Sequence, residues 1–178
     1  MDDEGKDKVM SLLEGATVKV TRPYREEDVP VMTDIWNAVV EAGLAFPQID
    51  PMTEDEARVF FAEQSHTAVV TVAGRVAGLY ILHPNNIGRC GHVANASYAV
   101  SANVRGHGLG RLLVEDSLRQ AGKLGFRGLQ FNAVVASNER ARALYEELGF
   151  TYIGTIPGGF RNKRNEYEDM RIYYREVV

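Results

Sequence analysis

Tyr98-Ala99-Val100-Ser101-Ala102-Asn103-Val104-Arg105-Gly106-His107-Gly108-Leu109-Gly110-Arg111 reads as a strand that runs into a glycine-spaced turn and opens a helix. Tyr98 to Val100 are strand formers, and Leu109, Leu112, Leu113 and Leu118 recur at helical spacing. Gly106, Gly108 and Gly110 leave backbone N–H groups uncovered between them. A helix start carries unpaired N–H donors and the positive end of the macrodipole, so this turn is shaped for an anion such as a pyrophosphate. Two common phosphate motifs do not fit. The fingerprint G-x-G-x-x-G fails because Arg111 stands where its third small residue belongs, and the pattern G-x-x-x-x-G-K-[ST] is absent. What fits is Arg/Gln-x-x-Gly-x-Gly/Ala, met by Arg105, Gly108 and Gly110. A strand-to-helix turn with glycines for tight packing is the plainer alternative.

A second stretch lies downstream, Asn138-Glu139-Arg140-Ala141-Arg142-Ala143-Leu144-Tyr145-Glu146-Glu147-Leu148-Gly149-Phe150. Asn138 is a good N-cap, Ala141, Leu144, Tyr145 and Leu148 make one apolar stripe, and Gly149 is a natural stop. Asn138 as a cap and Tyr145 as core would account for these residues taken alone.

With 178 residues the chain is long enough for one well-buried domain and short for two; residues 1–16 read as a charged extension and 17–178 as the domain. Hydrophobic residues at 45% and charged ones at 25% are ordinary globular values, which argues against disorder or a fibrous repeat. A net charge of −4 argues against nucleic acid as the main partner. Cys90 stands alone and the four histidines are scattered, so neither a disulfide nor a metal site is expected. No apolar run suits a signal peptide or a membrane span, and the cytoplasm is the expected location.

Taken in order, Val18 to Arg22 alternate as a first strand ended by Pro23. Glu26, Glu27 and Asp28 precede a helix through Val31, Ile35, Val39 and Val40 that stops near Gly43. Leu44 to Met52 form an apolar loop with two prolines, which needs something to pack on, and a helix follows from Thr53. Thr67–Val72 and Val76–Leu82 make a hairpin around Ala73-Gly74-Arg75, and His83 to Gly88 read as a turn. Strands at 92–100 and 128–135 flank the glycine turn and its helix; final strands are expected at 152–156 and 167–177, with Pro157 to Phe160 and Arg161 to Asn165 linking them. The fold class is α/β, ordered β-α-α-β-β-β-α-β-α-β-β, with a crossover that makes strands 92–100 and 128–135 parallel neighbours.

The two quoted stretches together resemble the GCN5-related N-acetyltransferase family over roughly residues 17 to 176. The resemblance implies a mixed sheet whose parallel central strands splay apart, with the arm of acetyl-CoA entering the gap. Tyr98, Ala99, Val100, Arg105, Gly106, His107, Gly108, Leu109, Gly110, Arg111 and Asn138 would then hold the coenzyme, and Tyr145 would protonate the leaving thiolate. It also implies direct acetyl transfer to an amine without an acyl-enzyme, the Val100 N–H polarising the thioester carbonyl. The loop after the first helix would form one wall of the acceptor pocket.

Two asparagines stand out on the central strands. Asn95 and Ser97 share a face with Val93 and Ala99, and Asn132 shares one with Gln130 and Val134. Polar side chains inside strands flanked by helices need partners, which could be each other, backbone or a ligand. His92 to Tyr98, Phe131 to Val134 and Gly154 to Gly158 are similar to the fungal proline-analogue acetyltransferases that detoxify azetidine-2-carboxylate. That narrower resemblance implies that Asn95 and Asn132 hold a substrate carboxylate. The expected partner is a small-molecule amine, neither nucleic acid nor membrane, and a homodimer is a further expectation. Another amine (a polyamine, an antibiotic or a protein N-terminus) and a non-catalytic acyl-CoA-binding module remain as alternatives.

Overall fold

The computed structural model describes residues 18–177, so the extension at 1–16 lies outside the described residues. The chain runs β1 (Lys19–Pro23), α1 (Val29–Ala42), α2 (Glu54–Ala62), β2 (His66–Val72), β3 (Arg75–Pro84), β4 (Val93–Val100), α3 (Leu109–Lys123), β5 (Gly128–Val135), α4 (Glu139–Glu147), β6 (Thr151–Arg161) and β7 (Tyr167–Glu176). This is the order expected from the sequence. The strands form one sheet, β1-β2-β3-β4-β5-β7-β6.

Local signals account for the boundaries. Gly43 ends α1 with φ 63°, a conformation that spares glycine the Cβ penalty. Thr53 and Glu56 form a reciprocal capping box at the start of α2. Ala73 and Gly74, both at positive φ, close the β2–β3 hairpin.

Alternation along the strands splits the core in two. Tyr80, Leu82, Ala94, Leu129, Phe131 and Tyr173 bury against α3 with Leu109, Leu113 and Val114. Val69, Leu79, Ile81 and Ala99 bury against α1 and α2 with Met32, Trp36 and Phe61. Trp36 stacks in a tilted contact with Phe46, ring centroids 4.4 Å apart, which fixes the loop after α1 to this second core. Asn37 holds the far end of the same loop, donating to the Met52 carbonyl at 2.7 Å and accepting from its N–H at 2.9 Å.

Among the described residues only β4 and β5 run parallel, and they pair at just two positions, Val93 with Gly128 and Ala94 with Leu129. Beyond that point they separate. β4 stays bonded to β3 on its other edge, down to the Ser101 N–H on the Ala77 carbonyl at 2.9 Å. Antiparallel bonding alternates along a strand, so the odd-numbered N–H groups of β4 go to β3. Those of Ala96, Tyr98 and Val100 therefore face the gap.

Two boundaries differ from expectation. β3 runs on through His83 and Pro84, where a turn was expected. Pro84 is tolerated because β2 ends opposite Leu82, so the missing N–H would have met no strand. β6 likewise continues through Pro157 to Phe160, because it is an edge strand and its register shifts between Ile156 and Phe160.

Candidate active site

A cavity of about 1300 Å³ passes through the sheet at the gap between β4 and β5. Residues of both cores line it: Leu109, Val114, Phe131 and Tyr145 on one side, Val39, Phe46, Phe60 and Ile81 on the other. The gap joins the two halves.

On the first side the glycine turn opens α3. Gly108 is its N-cap with φ 78°, and Gly106 has φ 88°. A Cβ at either would meet no protein atom within 4 Å, so these glycines are needed for backbone conformation and leave the amides bare to the cavity. Gly110 is different. A Cβ there would sit 3.5 Å from Leu144, an ordinary contact between α3 and α4. Arg105, Arg111 and Arg140 also line the cavity. Arg111 is held by an ion pair to Glu147. Bare amides at a helix start beside three guanidinium groups suit a diphosphate, and the open edge of β4 suits an extended amide-bearing arm.

Of the residues expected here, Tyr98, Val100, Arg105, Gly106, Gly108, Leu109, Gly110, Arg111, Asn138 and Tyr145 line the cavity. Ala99 and His107 do not. The Ala99 side chain is buried in the opposite core and its N–H faces β3, because it is out of phase with Tyr98 and Val100. His107 offers its carbonyl to the Lys19 ammonium at 2.8 Å. Asn138 is the N-cap of α4, its side-chain oxygen accepting from the Ala141 N–H at 3.2 Å, and it lines the cavity as well.

Two tyrosines meet at the gap in different states. The Ser117 hydroxyl donates to the Val114 carbonyl, so Tyr98 donates its own hydroxyl to Ser117 at 2.7 Å. Tyr145 packs its ring on Phe131, centroids 4.3 Å apart, and among the described residues its hydroxyl has no hydrogen-bond partner. Burial drives the Tyr145 phenol well above its ordinary range, so it stays protonated. A protonated, unengaged hydroxyl beside the gap can give a proton to a leaving group.

On the second side stand the two asparagines. Asn95 is half-buried and Asn132 exposed, both on the sheet face of α1 and α2. They are linked by a third residue that the sequence did not suggest. The Asn85 side-chain oxygen accepts from the Asn95 amide at 3.2 Å and from the Asn132 amide, while Gln130 donates to the Asn132 oxygen at 2.8 Å. His83 is paired with Asn95 across β3–β4 and lines the cavity; its Nδ1–H donates to the Pro84 carbonyl at 2.9 Å, leaving Nε2 as an acceptor. The signal for both was the continued alternation Ile81-His83-Asn85, which the intervening proline obscured. Leu44 to Gln48 supply a wall on this side, where the apolar loop was expected.

This fold and site define an acetyl-CoA-dependent N-acetyltransferase. The model of the acetyltransferase (GNAT) family matches residues 32–150, and the chain belongs to that family. It is 32% identical over 167 residues to N-acetyltransferase aca1 of Schizosaccharomyces pombe, covering 84% of this chain and 80% of that protein. Among solved structures, a GCN5-related N-acetyltransferase from Kribbella flavida superposes with a TM-score of 0.82 at 36% identity, over 89% of this chain and 97% of that one. A phosphinothricin acetyltransferase from Sinorhizobium meliloti in complex with acetyl-CoA gives a TM-score of 0.82 at 21% identity, over 89% of this chain and 88% of that one, and shares the fold.

Proposed function

We propose that the chain acetylates the amine of a small α-amino or α-imino acid, a proline analogue being one candidate. One observation carries this reading. Two amide side chains that line the cavity, Asn95 and Asn132, from the two strands on either side of the gap, both donate to a single oxygen, that of the Asn85 side chain. That arrangement recognises an oxygen acceptor, and a carboxylate is the strongest acceptor among small-molecule amines that also carry an acid. Acetyl-CoA supplies the acetyl group as a thioester. The backbone amides of the glycine turn hold its diphosphate, and the open edge of β4 pairs with its arm.

The spacing along β4 assigns the remaining roles. Asn95 lies about 10 Å from Tyr98 and about 17 Å from Val100 at the rise of a strand. One carbon separates the carboxylate of an α-amino acid from its amine, so the amine reaches toward Ala96 and Tyr98. The Tyr98 N–H is thus the donor to the thioester carbonyl, and the Val100 N–H, expected in that role, serves the coenzyme arm instead. The amine attacks the thioester carbon, the C–S bond breaks as the amide bond forms, and Tyr145 gives its proton to the sulfur; the proton lost by the amine passes to water in the cavity, from which the phenol is restored. Phe46, Phe60 and Val39 close the acceptor side with apolar surface.

Exposed Tyr152, Ile153 and Ile156 on edge strand β6 support the homodimer as part of this reading. Light scattering in solution tests that point. Thiol release from acetyl-CoA, measured against azetidine-2-carboxylate, phosphinothricin, ordinary amino acids, polyamines and peptides, tests the substrate class. Turnover confined to amines bearing a carboxylate is expected. Polyamines or peptides as the best acceptors would overturn it.

A further inference from the structure

We infer that Asn85 is a built-in stand-in for the substrate carboxylate: its side-chain oxygen occupies the position between Asn95 and Asn132 and must leave before an acid can bind. The inference rests on the carboxylate reading above and adds to it the device by which the site selects.

The geometry has three parts. The Asn85 backbone is fixed, its N–H donating to the Val93 carbonyl at 2.8 Å, so only side-chain rotation moves the oxygen. The oxygen accepts from both clamp amides, at 3.2 Å from Asn95 and also from Asn132. Asn85 follows the last residue of β3 and is half-buried, with Asn86 and Ile87 beside it exposed, so the displaced side chain has solvent to turn into.

The exchange favours an anion. Asn85 offers a neutral carboxamide oxygen, and hydrogen bonds to a charged acceptor are roughly twice as strong as neutral ones. A carboxylate therefore displaces Asn85 from amides that are satisfied in the resting protein, while a neutral group of the same size gains little by doing so. An amine lacking the acid leaves Asn85 in place. Selectivity then comes from competition with a side chain of the protein as well as from contacts to the ligand.

The test uses the full chain with azetidine-2-carboxylate and azetidine as acceptors. Asn85→Ala removes the competitor, so the KM for the acid should fall about five-fold, the worth of roughly one net hydrogen bond, with no matching change in the KM for acetyl-CoA. Asn85→Asp seats a carboxylate of the protein in the clamp, and its KM for the acid should rise more than about ten-fold, relaxing at acid pH where the aspartate is neutralised. Asn95→Ala should raise KM in the same assay. A rise in KM for both Asn95→Ala and Asn85→Ala would make Asn85 a fixed member of the clamp and overturn the inference while leaving the carboxylate reading intact. Equal turnover of acid and azetidine by the wild type would remove the reading and the inference together.

Discussion

The two sides of the cavity are built from different materials. The side proposed for the coenzyme offers backbone: bare amides at Gly106 and Gly108, and the N–H groups of β4 that its partner strand leaves open. The side proposed for the acceptor offers side chains: Asn95, Asn132 and His83 on the sheet, with Asn85 bonded to the two asparagines, and Phe46 and Phe60 in the same lining. A backbone site demands only a conformation, so it survives almost any change of side chain that preserves φ. A side-chain site changes with every substitution. The first is thus suited to a cosubstrate shared by a whole family, the second to an acceptor that differs among members.

The sharpest way to break this division is at the residue where the sides meet. Tyr145→Phe keeps the ring on Phe131 and removes only the hydroxyl, so kcat should fall roughly 10²-fold with the melting temperature little changed. Because burial raises the Tyr145 phenol, its protonated form persists to higher pH than in a free tyrosine. Activity should therefore show no loss from its ionisation up to about pH 10. A loss of stability with normal kcat would return Tyr145 to the core. Next come the clamp residues: Asn95→Ala and Asn132→Ala should each raise the KM for the amino acid roughly ten-fold and spare that for acetyl-CoA, as steady-state kinetics would read. An effect on the coenzyme KM alone would place these asparagines on the wrong side.

A smaller effect is expected on the backbone side. Gly108→Val covers the amides and strains a residue at φ 78°, so calorimetry should find acetyl-CoA bound about five-fold more weakly or worse, and the fold destabilised by about 1–2 kcal/mol. The smallest belongs to Gly110→Ala. Its Cβ meets Leu144 at an ordinary 3.5 Å, and alanine favours a helix over glycine by up to about 1 kcal/mol, so thermal unfolding should show equal or slightly greater stability. A large loss there would mean that all three glycines act alike, contrary to their geometry.

The same division explains what could be read from the chain. The glycine turn and the Asn138–Phe150 stretch were legible because φ restrictions and helix caps leave local marks in sequence. The crossover they flank then dictated parallel central strands. Ala99 fell inside the motif and outside the cavity because a motif is contiguous while a strand edge takes alternate residues, and His107 lies in the turn with its carbonyl on the Lys19 ammonium. Asn85 and His83 were missed for the opposite reason. Their site is assembled across β3, β4 and β5, and Pro84 hides the strand that carries them. Long β6 was shortened in the same way by Pro157, since a proline at an unpaired edge looks in sequence like a proline in a turn.

The two-residue pairing of β4 with β5 also has a mechanical meaning. The sheet is in effect two panels, β1 to β4 and β5-β7-β6, held by a short seam at one end. A cosubstrate laid along the free edge of β4 rivets the panels together. The amides of Ala96, Tyr98 and Val100 then pass from open to bonded, and their hydrogen exchange becomes a gauge of cosubstrate occupancy. Ligation adds its own stabilisation in proportion to the logarithm of saturation. On the proposed placement of acetyl-CoA, its addition should raise the melting temperature and slow exchange along β4 before any other strand.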